Sequence, residues 1–407
     1  MSNNKLQTSS YSWILLAIVG LAGAISVYAQ LAVAARAFEI IPALKLGAAQ
    51  FALIVSAPMF PSIFLCFPVG GLADRFGVKI VVTIGMIIAI VGTAFRYLTP
   101  TFAGYFALMS LTGTGVMCIN ANVGKIVGAW FSQEDSGRAL GIYYAVIRLG
   151  MFIGLATGAM FPTAKASYIF EGILMVAATI LWMLFAKNAP EGVQVVSTEP
   201  ISKHIGVAIR SKNVWLAGIG ACFYWGGFMA FNGNLANGLN VMHKIDPVTA
   251  GWIASMLLLG NTFGNVLGPV WADKLGRMKP FLQLGLIGCL ILLFGWNAPT
   301  MWLWPILFIG GFIFGLTLPF FMLYPVLLPD IGIDSAGSAG GLIADLMIVG
   351  AVCVPSFLIA PIVGMDFNKI FLMGTLCLLI VSILSAFLPE VGAKAMAQKA
   401  ESSQTAA

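Results

Sequence analysis

Two ionisable residues stand inside long apolar stretches of this sequence, where a charge is costly. Arg148 lies eight residues into a stretch that begins near residue 140, and Asp345 lies eight residues into one that begins near 337. At 1.5 Å per helical residue, each lies roughly 12 Å from the start of its stretch. We identify Asp345 as the only acid at such depth.

Each charge has more than one chemical interpretation. A guanidinium does not give up its proton, so Arg148 must face water, an anion or a fixed acid, unless it reaches the membrane surface. It suits bidentate binding of a substrate carboxylate or a structural ion pair. Asp345 suits proton coupling, or a static pair if it lies beside Arg148.

Amide and aromatic side chains in other apolar stretches form a second set of candidates. Buried amides are costly unless they are hydrogen-bonded, so some should face a polar pathway, whereas each aromatic alone could simply pack. The substrate-binding candidates of this kind are Tyr28, Gln30, Asn120, Asn122, Tyr224, Trp225, Asn232 and Tyr324. Asn261 and Asn265, one helical turn apart, could join them.

The sequence contains no motif typical of a soluble enzyme. There is no phosphate-binding P-loop, and His204 and His243 are isolated. The six cysteines follow neither a metal-site nor a disulfide spacing. We expect no enzyme activity, cofactor or metal.

Composition identifies the elements that must position these residues. With 60% hydrophobic residues, 9% charged residues and a mean hydropathy of +0.97, the chain cannot cover a water-soluble surface. A membrane-spanning helix needs about 20 apolar residues, which predicts twelve spans. They begin near residues 12, 46, 80, 102, 140, 167, 213, 248, 281, 301, 337 and 368.

Basic residues indicate the topology. With a cytoplasmic amino terminus, thirteen Lys and Arg residues fall in inner loops and tails and six in outer loops, among them Arg36 and Arg96. Both termini are therefore predicted to lie in the cytoplasm, and the chain is predicted to span the plasma or inner membrane. The net charge of +6 is spread singly over loops, which argues against nucleic-acid binding.

A loop motif occurs twice, about 199 residues apart. The first copy contains Gly70, Asp74, Arg75, Gly77 and Lys79. The second copy contains Asp273, Gly276 and Arg277, with Pro269 in place of the first glycine. A second repeat pairs residues 136–141 with 336–341, so the sequence reads as a duplicated six-helix unit.

These features resemble the major facilitator superfamily, whose loop motif is G-x-x-x-D-x-x-G-[RK]-[RK]. The resemblance implies two pseudo-symmetric six-helix halves: residues 1–188, a linker at 189–212, residues 213–390 and a tail at 391–407. Residues 201–212 could form a basic helix on lipid or a solvated loop. Loop 130–139 is similar to that of the oxalate/formate antiporter and monocarboxylate transporter branch.

The family resemblance also assigns roles to the loop motif and to two glycine stripes. The motif residues would form a gate, with Gly70 permitting close helix approach and Asp74 pairing across the loop. The two stripes would face each other across the half-to-half interface or pack within each half. The stripes are Gly150, Gly154 and Gly158, and Gly260, Gly264 and Gly268.

The sequence therefore predicts a monomeric secondary transporter in a lipid bilayer that works by alternating access. Its expected cargo is a small organic anion such as a monocarboxylate, moved with protons or exchanged for another anion. One alternative is an exporter of amphipathic compounds. The other is a non-transporting receptor or assembly protein with the same fold.

Overall fold

The chain is helical throughout the parts that the computed structural model describes, which are residues 8–188, 201–328 and 331–392. No strand occurs in these ranges. The α-helices are α1 Ser10–Ala35, α2 Ala37–Leu44, α3 Ala48–Ser56, α4 Phe60–Phe76, α5 Val78–Ala94, α6 Phe102–Thr112, α7 Thr114–Trp130, α8 Gln133–Thr157, α9 Ala164–Phe185, α10 Ile201–Arg210, α11 Lys212–His243, α12 Pro247–Leu275, α13 Lys279–Gly295, α14 Thr300–Gly315, α15 Leu318–Leu327, α16 Gly332–Cys353, α17 Ala360–Val363 and α18 Phe367–Phe387.

The apolar helices agree with the predicted membrane spans. Within the described residues, ten helical segments are long and apolar enough to cross a bilayer. Two shorter apolar helices, Val78–Ala94 and Lys279–Gly295, lie where the third and ninth spans are expected. The protein is thus a multi-pass membrane protein, while the count of twelve spans stays a prediction.

Local sequence explains where several helices begin. Hydroxyl side chains accept a backbone N–H of the first turn, which satisfies a donor that the helix itself leaves free. Thr101 caps α6 in this way, Ser132 caps α8, Thr163 caps α9 and Ser211 caps α11. Short polar residues between apolar runs therefore fix the ends of the spans.

The helices form two compact units. One comprises residues 1–198 with 245–252, and the other comprises 199–244 with 253–407. In the first unit, α1 packs on α8, and α5 packs on α7 and α9. In the second unit, α11 packs on α16 and α18, and α13 packs on α14 and α18.

The glycine stripes pack inside their own units. A Cβ on Gly150 or Gly154 would meet the α1 backbone at Ala24 or Tyr28 at 2.4 Å. A Cβ on Gly260 would meet the carbonyl oxygen of Phe308 in α14 at 2.0 Å. Gly158, Gly264 and Gly268 make the corresponding contacts with Ala32, Phe312 and Leu316. These positions therefore follow the within-half alternative, which corrects the expectation of a sliding contact there.

Aromatic rings fill the interior of the second unit. Phe314 of α14 stacks on Tyr224 and Phe228 of α11, at centroid distances of 4.6 and 5.4 Å. Phe231 stacks on Phe371 of α18 at 4.9 Å. Such rings bury large apolar areas, so they hold α11 against its neighbours without charged groups.

Two further helical segments are a short helix in the predicted linker and a π-helical turn near the end of the second unit. Residues 201–210 of the predicted linker form α10, whose Ile209 carbonyl accepts the indole N–H of Trp215 at 2.8 Å. After Cys353 the chain continues as a π-helical turn, Val354–Ile359, which contains Pro355. Proline lacks an N–H and so cannot maintain the α-helical hydrogen bonds here.

Candidate functional site

Arg148 lies in the second half of α8 and is partly buried. It is nine residues before Thr157, the last residue of α8, which corresponds to roughly 13 Å along the axis. Gly150 and Gly154 follow it by two and six residues and contact α1. At about 100° of rotation per residue, the Arg148 side chain leaves α8 on the side turned away from α1.

Asp345 is exposed, on the second half of α16. It precedes Cys353, the end of the α-helical part, by eight residues. An exposed carboxylate at this depth in a membrane helix requires water or a polar partner. Its surface is therefore available to a proton or an ion.

The candidate amides of the first unit are engaged inside that unit. Gln30 is buried and donates to the Val55 carbonyl oxygen at 2.9 Å. Asn120 accepts from the Tyr143 hydroxyl at 2.6 Å. Asn122 donates to the Cys118 carbonyl at 2.9 Å, while its buried side-chain oxygen has no hydrogen-bond partner.

Hydrogen bonds also hold the candidate tyrosines. Tyr28 accepts from the Thr157 hydroxyl at 3.3 Å. Tyr224 donates to the Phe314 carbonyl at 3.2 Å, and Tyr324 donates to the Pro389 carbonyl. Trp225 is partly buried and packs edge-on against Phe228. In the state described, these aromatics contribute to packing.

In the second unit, three amides leave more of their hydrogen-bonding capacity unused. Asn232 on α11 is 1% exposed, and neither its side-chain oxygen nor its nitrogen has a hydrogen-bond partner. Asn265 donates to the Asn261 side-chain oxygen at 3.1 Å. The Asn261 nitrogen and the Asn265 oxygen are then left without partners. These groups can still bind a polar ligand.

A buried ion pair in the first unit was missed by the sequence analysis. Arg96 and Glu171 have side chains with 0% exposure and are paired directly. Arg96 also donates to the Ala29 carbonyl oxygen at 3.2 Å and lies over the Tyr168 ring at 4.4 Å. The Ser167 hydroxyl donates to the second Glu171 oxygen at 2.8 Å. The pair therefore joins α1, the end of α5 and α9.

Glu171 corrects one expectation. Glu171 lies seven residues after the start of α9 and is fully buried, so Asp345 is not the only acid deep in a span. Arg96 and Arg36, both assigned to outer loops, do lie between α-helices but are buried, at 0% and 1% exposure. Arg36 pairs with Glu39 and donates to the carbonyl oxygens of residues 158 and 161 at 3.0 and 2.9 Å. One signal could have revealed the ion pair: span three ends and span six begins on the same membrane side.

The first copy of the loop motif is built into the first unit. Gly77 has a φ of +86°, which ends α4, and the following Lys79 amide donates to the Asn188 side chain at 2.9 Å. Lys125 pairs with Asp74 and donates to the Gly70 carbonyl at 2.8 Å. A Cβ on Gly70 would meet nothing within 4 Å, so close helix approach is not the reason for a glycine there. Arg75 lies against the Phe76 ring at 5.2 Å.

The second copy of the loop motif is held in the same way, but a carboxylate takes the place of the Asn188 amide as the hydrogen-bond acceptor. Gly276 has a φ of +68° and ends α12. Glu390 accepts the amides of Met278, Lys279 and Gly392 at 2.8, 3.2 and 3.0 Å. Asp273 and Arg277 are exposed. Each loop is thus fastened to the segment after the last helix of its own unit.

The described ranges offer no metal-binding cluster. They contain no group of three or more His, Cys, Asp or Glu side chains that could hold a metal ion. The six cysteines are free thiols.

Comparison with known proteins gives the family. The sequence profile of the Major Facilitator Superfamily matches residues 12–344. An uncharacterized transporter, YycB, of Bacillus subtilis (strain 168) is 23% identical over 64% of this chain and 65% of its own length. The oxalate:formate antiporter of Oxalobacter formigenes is 25% identical over 58% and 56%. The chain thus spans just over half to about two thirds of the length of these two relatives.

Solved structures agree on the fold. A bacterial homologue of the human lysosomal transporter Spinster, in an inward-facing and unoccupied conformation, matches with a TM-score of 0.75 and 14% identity over 93% of this chain and 96% of that one. A single-residue mutant of the nucleoside transporter NupG matches with a TM-score of 0.75 and 13% identity over 92% and 99%. With a family profile that covers most of the chain and a shared fold, this protein belongs to the Major Facilitator Superfamily.

Proposed function

We propose that this protein is a secondary carrier of small organic anions and that Arg148 binds the anionic group of the cargo. The main support is the position of Arg148. This residue is partly buried, lies well inside the membrane helix α8, and is on the side of α8 that is turned away from α1. An arginine held there costs several kcal/mol unless it meets water or an anion. A carboxylate can accept two of its N–H groups at once.

The cargo of the relatives supports an acidic substrate. The oxalate:formate antiporter is named for two small carboxylates. A hexuronate transporter of Bacillus subtilis (strain 168), 26% identical over 36% of both chains, is named for a sugar acid. A probable L-galactonate transporter of Escherichia coli (strain K12) is also named for one. We extend their shared property, a carboxylate, to this chain.

For the coupling we assign proton uptake to Asp345. Its exposed carboxylate on α16 can take up a proton, which would neutralise one negative charge for each transported anion. The alternative is anion exchange, in which one anion leaves Arg148 as another arrives. Transport of a labelled acid with and without a pH gradient separates these two modes.

Counterflow of radiolabelled carboxylates into proteoliposomes tests the carrier proposal. Arg148→Gln should lower the apparent affinity for the acid about 100-fold, because a bidentate charged contact contributes about 3 kcal/mol. Arg148→Lys should restore only part of it, since a lysine lacks the planar fork. Arg138→Gln, which removes an exposed cation from the same helix, is the matched control and should leave transport unchanged.

Two results would refute the proposal. If the wild-type protein moves no acid in a panel from formate to gluconate, the substrate class is wrong. If Arg148→Gln transports acids as well as Arg138→Gln does, Arg148 does not bind the anion.

A further inference from the structure

The side-chain amides of Asn261 and Asn265 form a dyad on α12 whose hydrogen-bonding capacity is only partly used. The Asn265 nitrogen donates to the Asn261 oxygen at 3.1 Å. This bond leaves the buried Asn261 nitrogen as a donor and the Asn265 oxygen as an acceptor, both without partners. Asn261 is 1% exposed. The dyad thus presents a free donor nitrogen and a free acceptor oxygen, and turning both amides over together only exchanges which residue carries each.

The neighbours of the dyad explain why it is not simply exposed to lipid. A Cβ on Gly264, between the two amides, would meet the Phe312 carbonyl of α14 at 2.1 Å, so that face of α12 is closed by a helix. The exposed apolar residues Phe263 and Val266 mark the lipid side. On a helix with about 100° per residue, Asn261 and Asn265 lie between these faces, closer to α14 than to the lipid side.

The energetics make a ligand the best explanation of the dyad. A buried amide group without a partner costs about 1–3 kcal/mol, and apolar residues would remove that cost. Thr262, the residue after Asn261, shows the usual solution, because its hydroxyl donates to the Leu258 carbonyl oxygen of its own helix at 2.8 Å. The dyad has no such internal solution.

We infer that Asn261 and Asn265 recognise a hydroxyl group of the cargo, which makes the substrate a hydroxylated carboxylic acid. This inference rests on the proposed function, since it adds a neutral subsite to an anion carrier. A hydroxyl donates one hydrogen bond and accepts others, so it matches a free amide oxygen and a free amide nitrogen. A carboxylate accepts only and would leave the Asn265 oxygen unsatisfied. A site built to bond a hydroxyl also rejects the analogue that lacks it.

The test compares pairs of acids with equal chain length that differ only in hydroxylation: lactate with propionate, and gluconate with hexanoate. The readout is the thermal shift of the purified full-length protein and its apparent affinity in counterflow. Wild-type protein should bind at least one hydroxylated acid about tenfold more tightly than its partner. The double variant Asn261→Leu/Asn265→Leu should lose this preference but keep its affinity for the plain acid.

The stability of the ligand-free protein gives a second, independent readout. If the amides serve a ligand, the double leucine variant should melt at the same temperature as the wild type or higher, because two unsatisfied groups are removed. Thr262→Val, which removes a hydroxyl already bonded within α12, is the matched control and should keep the wild-type preference.

Failure of this inference is distinguishable from failure of the proposed function. If wild-type protein binds both members of every pair equally and the double variant does the same, the inference is wrong while anion transport stands. If the double variant melts well below the wild type and keeps its preference, the amides are structural and the inference is also wrong. If no acid of either kind binds or is transported, the proposed function itself fails.

Discussion

The two units bury opposite kinds of side chain. The first buries Arg36, Arg96 and Glu171, each at 1% exposure or less. In the described part of the second unit, no charged side chain is buried to this extent, and stacked rings around Phe314 and Phe371 occupy the interior instead. Both units are thus built of apolar helices, but the chemistry of their interiors differs.

The two interiors are therefore stabilised by different interactions, a buried ion pair in the first unit and aromatic packing in the second. A buried ion pair is held by desolvated charges, so removing one partner is far worse than removing both. Aromatic packing loses stability in proportion to the contacts removed. Replacing one member of the ion pair should therefore cost most of the pair's stabilisation at once. Replacing a ring of the aromatic stack should cost an amount of unfolding free energy that depends on how many contacts are lost.

The largest expected effect comes from splitting the ion pair. Glu171→Leu leaves the Arg96 guanidinium buried without its acid, which should cost about 3–5 kcal/mol of unfolding free energy. The double variant Arg96→Met/Glu171→Leu should recover most of this loss, since two uncharged groups replace the pair. Unfolding in an SDS titration measures both. A double variant as unstable as the single one would contradict the interpretation.

A smaller effect should follow from trimming the aromatic stack. Phe314→Leu removes a ring from between Tyr224 and Phe228 and should cost about 2 kcal/mol. Phe357→Leu changes a ring that is 64% exposed and serves as the control, with little effect expected. Equal losses for the two variants in the same SDS titration would show that the stack adds no stability.

The two loop copies should differ by about 1 kcal/mol, the usual net contribution of a hydrogen bond or two. Glu390→Ala removes the acceptor of three backbone amides, including those of Met278 and Lys279, whereas Asn188→Ala removes the acceptor of the Lys79 amide. Hydrogen bonds to a charged acceptor are also the stronger kind. Thermal melting of both variants should rank Glu390→Ala as the less stable. The reverse order would mean that the loops are held by other contacts.

The smallest effect concerns the caps of two counterpart helices. Thr163 caps α9 with a hydroxyl, whereas Asp366 caps α18 with a carboxylate that accepts the Lys369 amide at 3.2 Å. Hydrogen bonds to Lys369 lower the pKa of Asp366, a residue outside the membrane spans. Because the folded pKa lies below the unfolded one, the stabilisation is complete above about pH 4 and is lost as the pH falls through the folded value.

Asp366→Asn should keep the cap and remove this contribution to the acid dependence. Melting temperatures of the wild type and the variant, compared between about pH 3 and pH 7, should converge at low pH. A constant difference across that range would exclude a role for the ionised cap.

Much of the architecture was predictable because it depends on local composition. Apolar runs place the spans, and the repeated motif falls at the junctions where Gly77 and Gly276 end α4 and α12. Of the two alternatives for residues 201–212, a helix or a solvated loop, the structure shows helix α10 over 201–210. These features need only sequence-local physics: hydrophobic length, backbone conformation at glycine and amphipathic spacing.

The rest could not be predicted because it depends on which helices become neighbours. Arg96 and Glu171 are 75 residues apart, and the sequence gives no reason to bring them together beyond a shared membrane side. Gly154 faces α1 because α8 packs on α1, and the sequence does not say which helix is the neighbour of α8. The motif glycine Gly70 was assigned a packing role by analogy, yet its Cβ position is open. Roles of the candidate site residues stay predictions for the same reason.

The π-helical turn at Val354–Ile359 has a consequence for the internal repeat. Gly150 and Gly350 are 200 positions apart, but the helix caps Thr163 and Asp366 are 203 apart, so the second copy contains three extra residues in between. A π turn is the way a helix absorbs an inserted residue without breaking, and it shifts the phase of everything that follows. The π turn thus accounts for one of the three extra residues, and the side chains that follow it point in other directions than those at the corresponding positions of α8, so the internal repeat does not predict their contacts.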